Sequence, residues 1–231
     1  MIKILIFKYK FNTLILYYNF QIIKLTILDF TLTTTDIKLS KILEKGINFS
    51  CLMCGACCRG LNEGEVYVYE EDIKRLAAYL KMKGFNGLRK FAKKYLKIIE
   101  DTYMWKEEGA ERRKKYRIKA LAFKFTGEDE HCHFLNDNKC SVHEARPFQC
   151  QCFPFWQMMV SSRANFIDYS KKCPGLRELK GKFYSKEDIL EWALAEKNVE
   201  RDYFLRLKAH KFDIFKVYPF LPKELLKDEG D

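Results

Sequence analysis

The chain has no glycine-rich nucleotide loop following a strand, no phosphate-binding loop and no serine or cysteine triad pattern. The commonest nucleotide-dependent and hydrolytic chemistries therefore lack their residues. It also lacks an apolar run of about 20 residues, the length that a membrane-spanning helix needs. Even the apolar N-terminal stretch is broken by Lys3, Lys8, Lys10 and Lys24, so no membrane span is predicted. No Ala-x-Ala cleavage site can occur before Ala56, the first alanine, and no signal peptide is predicted. Internal repeats of useful length are missing too. Residues 1–50 contain no Ala, Arg or Pro and only one glycine, Gly46. They are rich in Ile, Leu, Lys, Thr, Tyr and Phe. Two readings of that bias stay open: strands of an extra sheet, or translated upstream DNA. Residues 1–35 are accordingly expected to stand apart from the core.

What the chain does have is clustered thiols. All nine cysteines lie between Cys51 and Cys173, beginning with Cys51-Leu52-Met53-Cys54-Gly55-Ala56-Cys57-Cys58. Two residues between successive cysteines let the chain turn back so that their sulfurs face one ion, at metal–sulfur distances of about 2.3 Å. Gly55 eases such a turn. Adjacent side chains usually diverge, so Cys57 and Cys58 predict two centres or one cluster of several ions. An odd number of cysteines and no secretion signal argue against a disulfide framework and for a reducing, cytoplasmic location.

With 42 basic and 31 acidic residues, the formal charge is +11, which raises the question of a polyanionic partner. Eight thiolates around two divalent ions would bring this to about +7, so part of the basic excess offsets the site itself. Only Arg112-Arg113-Lys114-Lys115 is a dense basic block. It reads as a solvated loop, with a nucleic acid or an acidic protein as the alternative contact.

Along the chain, a short helix is predicted from Asp36 to Lys45, a strand from Glu65 to Tyr69, and a helix from Glu70 to Lys83 ended by Gly84. A second amphipathic helix is expected from Asn86 to Glu100, with Leu88, Phe91, Tyr95, Ile98 and Ile99 on its apolar face. Lys106–Lys115 reads as a linker and Tyr116–Phe125 as a strand. Asn136-Asp137-Asn138 should turn the chain so that Cys140 approaches Cys132. One or two strands are expected within Met158–Tyr169. A long helix capped by Ser185 and Asp188 should follow. Its buried side is read as Ile189, Trp192, Ala193, Val199, Tyr203 and Leu207. Residues 36–215 are taken as the cysteine-cluster domain and 216–231 as a tail, acidic and mobile from Asp228 to Asp231.

The motifs Cys51-x-x-Cys54-x-x-Cys57-Cys58, Cys132-His133-Phe134-Leu135, Cys140, Arg146-Pro147-x-x-Cys150 and Phe153-Pro154-Phe155 together resemble the YkgJ-type cysteine-cluster family. That family is described as zinc- or iron-chelating and includes relatives of flagellin lysine N-methylase. The resemblance covers roughly residues 50–176 and implies metal or iron–sulfur binding. The elements read along the chain predict a compact α+β domain with amphipathic helices and a small antiparallel sheet. Carried over residue by residue, the ligands are Cys51, Cys54, Cys57, Cys58, Cys132, Cys140, Cys150 and Cys173. The chain departs from the family pattern at His143, where an aromatic is expected, at Gln151, where an Arg is usual, and at Cys152, an additional thiol ranked below the other eight. His143 reads as a neighbour of the ligands or a surface residue, with ligation through a Cys140-x-x-His143 turn as the alternative, and His131, His133 and His210 are assigned no ligand role. Arg59 and Arg146 are candidate donors to thiolate sulfur.

Thiolates suit zinc and iron alike. The spacing matches neither the two-cluster ferredoxin run nor the radical-enzyme motif, and the reading leans to iron or an iron–sulfur cluster over zinc. Two alternatives are a metal-dependent protein-modifying enzyme, such as a lysine N-methylase, and a zinc-stabilised module contacting protein or nucleic acid.

Overall fold

In the computed structural model, residues 36–59, 64–127 and 130–226 are described. The atypical segment 1–35 and the acidic end, Asp228–Asp231, lie outside them. Strand β1 (Ile47–Phe49) precedes the first cysteines, and helices α1 (Glu70–Tyr79) and α2 (Gly84–Tyr95) follow. The hairpin β2 (Leu96–Trp105) and β3 (Lys114–Phe123) comes next, then two tiny pairs. These are β4 (Phe125–Thr126) with β5 (His131–Cys132), and β6 (Leu135–Asn136) with β7 (Lys139–Cys140). Short helices α3 (Phe148–Cys152), α4 (Gln157–Val160), α5 (Arg163–Lys172) and α6 (Pro174–Glu178) lead to β8 (Lys182–Tyr184), which pairs with β1. The long α7 (Lys186–Ala209) and the short α8 (Ile214–Val217) follow, and a 3₁₀ turn at Lys223–Leu226 comes last among the described residues. Helices and small antiparallel pairs thus make an α+β fold.

Several elements differ from the sequence expectation. The helical spacing of α2 runs on into Ile98 and Ile99, but the helix stops at Tyr95 and those residues enter β2, which pairs with β3 from Leu96↔Phe123 to Trp105↔Lys114. Tertiary pairing of a β-branched segment outweighs the continued period. Gly84 opens α2 rather than closing α1. Lys81, at φ +60°, ends α1, with its N–H on the Ala78 carbonyl and that of Met82 on Ala77. This is the left-handed cap more often given to glycine. Met158–Tyr169 is helical, because the Ser162 hydroxyl accepts the N–H of Asn165 and starts α5. The Asp36–Lys45 helix is reduced to a 3₁₀ turn at Lys41–Leu43. Glu65–Tyr69 makes only a bridge, Tyr67↔Ala122, along the edge of β3. On the other side of that stretch, the Gln149 side chain accepts from Tyr67 N–H and donates to the Glu65 carbonyl.

The basic block forms the exposed connection between β2 and β3 and the start of β3. Among the described residues, no helix is long and apolar enough to cross a membrane.

Two apolar cores result. The larger gathers α1, α2, β2 and β3 with the far end of α7, through Phe91, Leu96, Leu121, Phe123 and Phe204. Beyond residue 215 the chain stays in it, with Val217, Tyr218, Phe220, Leu221 and Leu225 buried. The smaller joins Leu43, Phe49, Phe155, Met159, Phe166 and Leu176 to Ile189 and Ala193 at the near end of α7. Cysteines occur in both: Cys132 is buried in the larger and Cys173 in the smaller.

Candidate metal centre

Two glycines show how the separate cysteine segments meet. Gly55, at φ +75°, allows the turn inside the first cysteine run, and a Cβ there would stand 2.8 Å from the Asn138 carbonyl and 2.9 Å from Leu135 Cδ1. The 51–58 loop thus lies directly on the β6–β7 hairpin. The side chain of Arg59 fastens the same contact, donating to Asn138 Oδ1 at 2.6 Å. The turn is the one expected from Asn136-Asp137-Asn138: Asp137 and Asn138 both take positive φ, as a two-residue hairpin connection requires. On the opposite flank, a Cβ on Gly175 would meet the Ser50 carbonyl at 2.4 Å, which holds the Cys173 segment against the first cysteine. Gly55→Ala is therefore expected to cost about 1–3 kcal/mol of stability, through left-handed strain and displacement of the hairpin. Chemical denaturation checks this; an unchanged midpoint would mean that the loop does not need the contact.

All nine cysteines are free thiols. Cys57 and Cys58 lie on a 3₁₀ turn, Ala56–Arg59, and the expected divergence of these neighbours is not what is seen. Cys58 is hydrogen-bonded to both Cys140 and Cys57, and those bonds, with burial, hold its thiol far above the ordinary range. Conversely, the bond from Cys58 lowers Cys140 to about 6 and also lowers Cys57. Burial pushes Cys132 up to about 11, with Cys140 and Cys57 adding to the rise. Burial likewise pushes Cys150 well up, and the charges of Cys57, Cys132 and Cys140 reinforce it. Cys51, though exposed, is raised by partial desolvation, with contributions from Cys57 and Cys54. Cys173 is raised by burial, and Cys54 and Cys57 add to it. These eight sulfurs belong to one electrostatic neighbourhood.

Cys152 faces elsewhere. Its Sγ donates to the Trp192 carbonyl at 3.5 Å, and its thiol is raised by burial and by Glu196 and Glu200 of α7.

Arg146 brings positive charge to the cluster, lowering Cys51, Cys57 and Cys140. Its Nε is buried with no hydrogen-bond partner, a donor in position for a thiolate sulfur. Another of its nitrogens contacts His143 Nε2, so the histidine is engaged by the arginine. Gln151, at the place where the family pattern has Arg, donates to the Arg146 carbonyl. His133 packs edge-on against Tyr95, and His210 caps the C-terminus of α7.

Asp72 was not anticipated from the sequence. Only 2% exposed, its carboxylate accepts the N–H of Tyr69 at the start of α1 and that of Phe148 at the start of α3. It also pairs with Arg75 at 2.5 Å. Arg75 in turn donates to the carbonyls of Ala145 and Arg146. The pair ties the Arg146-Pro147 corner, and with it Cys150, to α1. The sequence signal was an acidic residue in the first turn of a helix, which on its own indicates no more than an end cap.

Among the described residues, no group of three or more His, Cys, Asp or Glu side chains is set to enclose a metal ion. The donor chemistry nonetheless fits one. Soft thiolates suit zinc and iron, more thiols gather here than the one nearby arginine offsets, and the unpartnered Arg146 Nε borders them.

Residues 50–174 match the family model CxxCxxCC, described as "Putative zinc- or iron-chelating domain". The match spans more than half of the chain, and the protein belongs to this family. Metal binding through the zinc- or iron-chelating domain is the activity the membership supports. No solved structure matches the chain.

Proposed function

We propose that the protein binds iron in a polynuclear, thiolate-held centre formed by Cys51, Cys54, Cys57, Cys58, Cys132, Cys140, Cys150 and Cys173. The carrying observation is the position of Cys58, hydrogen-bonded to both Cys57 and Cys140 while Cys132 adds its charge to the same group. Cys150 feels three of these sulfurs as well. Five thiols in one neighbourhood exceed the four that a single tetrahedral ion takes. Several ions, or an iron–sulfur cluster, would use them all. The chain's own part is to supply the thiolates, to set Arg146 beside them, and to keep one side of the set inside the protein. Zinc in the same donors is the competing occupant. Free thiols in this number fit a reducing, cytoplasmic setting.

The test is anaerobic purification of the whole chain, followed by elemental analysis and an absorption spectrum. Iron, acid-labile sulfide and broad visible absorption are expected, and Cys57→Ser and Cys58→Ser should lose the same spectral features. Cys152→Ser should keep its full metal content. Zinc without visible absorption would select the competing occupant, and folded protein with neither metal would overturn the reading.

Cys51 and Cys54 are exposed, which favours a second reading in which one side of the centre is open to a reactant. A metal-dependent protein-modifying enzyme, as among the family's lysine N-methylase relatives, would then show a spectral change on adding S-adenosylmethionine. A saturated, unresponsive centre would leave metal binding alone.

A further inference from the structure

A cavity away from the sulfurs is enclosed by the edge segment at 67–69, β2, β3 and α7. About 150 Å³ in volume, it exceeds what one water occupies and has room for several heavy atoms. Tyr67, Tyr69, Tyr103 and Tyr203 wall it, and Asp101 and Glu200 bring carboxylates to it. Tyr67, Asp101, Tyr103 and Glu200 are only half-buried, so the cavity reaches the surface.

The charges there are unbalanced. Among the described residues, neither Asp101 nor Glu200 takes part in an ion pair. The Tyr67 hydroxyl bonds Asp101. Lys197 lies within electrostatic range of Glu200, but its ammonium donates to the Asp36 carbonyl. Arg201 and Arg113 act on Tyr103 from a distance, yet among the described residues no cation is ion-paired with either carboxylate of this tyrosine-walled space.

The geometry points to this cavity as a binding site for a small primary alkylammonium ion. Tyrosine faces attract cations electrostatically, most strongly where water is excluded. Carboxylates accept charge-assisted hydrogen bonds from N–H donors. A quaternary ammonium would leave those acceptors unused, and an anion would meet repulsion. Glu200 is pushed up to about 7 by burial, with Asp101 adding to the rise; a bound cation would relieve that cost. The site does not depend on what the cysteines hold.

Titration calorimetry of the full, metal-loaded chain with n-butylammonium chloride at about 0.15 M salt tests the assignment, with n-butanol as the neutral counterpart and tetramethylammonium as the quaternary one. The salt screens exposed charges, and the net positive surface disfavours unspecific cation uptake. Saturable binding of n-butylammonium is expected, at least tenfold tighter than either comparison compound. Glu200→Gln and Asp101→Asn should each weaken it at least tenfold while the protein stays folded. Equal binding of butanol would overturn the site as a cation site. Tighter tetramethylammonium binding would overturn the primary-amine class, and unchanged affinity in both variants would place the ion elsewhere.

Discussion

Replacing Asp72 by Ala should lower unfolding stability by about 2–4 kcal/mol, the cost of taking a buried charged acceptor away from two backbone N–H groups and from the partly exposed Arg75. Three attachments fail together: the N–H groups of Tyr69 and Phe148 lose their acceptor, and Arg75 loses its counter-charge. Urea denaturation with metal content held constant measures the loss. Asp72→Asn keeps the shape and two acceptor sites at most, so it should fall between parent and Ala. A loss below 1 kcal/mol for Asp72→Ala would mean that water replaces the carboxylate at both helix starts. The same variant should also weaken metal retention, because Arg75 holds the Arg146 carbonyl and Cys150 follows on α3.

Replacing Glu196 by Gln should do the opposite at alkaline pH. Burial pushes Glu196 up to about 8, with Glu200 adding to the rise, and its Oε2 accepts the N–H of Gln157. A carboxyl whose folded value lies above its unfolded value contributes stability that is fully present below the unfolded value. That contribution disappears as pH rises through the folded value. Gln mimics the protonated form and keeps an acceptor for Gln157. Parent and variant should therefore match near pH 4, whereas above pH 8 the variant should be more stable by about 3–5 kcal/mol. Urea midpoints at the two pH values check this. A variant less stable at both would mean that the charged carboxylate is the form the fold requires.

Some local signals in the sequence were translated faithfully, though Gly84 opens a helix where its position suggested a stop. Ser185 and Asp188 cap α7 reciprocally, and Asn136-Asp137-Asn138 makes its turn, since such features depend on a few neighbouring residues. The thiol spacing marked the family for the same reason. Features set by distant partners were not legible. Ile98 and Ile99 suit a helix face or a strand equally, and only β3, arriving from 114 onward, decides between them. The Met158–Tyr169 stretch hid a helix start at Ser162 behind residues of mixed preference. Cys57 and Cys58 were expected to part. Instead, the 3₁₀ turn and the approach of Cys140 bring them into one group, a convergence that depends on the close fit of Gly55 on Asn138. Asp72 could not be told from an ordinary helix cap until Phe148, far along the chain, was seen to share it.

Helix α7 is common property of the two cores: Ile189 and Ala193 belong to the smaller, Tyr203, Phe204 and Leu207 to the larger. At a rise of 1.5 Å per residue, about 16 Å of unbroken helix separates Ala193 from Phe204. A rod of this kind cannot fold at its middle without breaking backbone hydrogen bonds, so the cores are not free to close like jaws on an arriving ion. Adjustment is left to the short loops that carry the sulfurs. The gyration radius measured by X-ray scattering should then be nearly the same with and without metal, while amide exchange around 51–58 slows sharply on loading. Uptake would resemble the setting of a clasp on a rigid frame, with its speed governed by loop ordering.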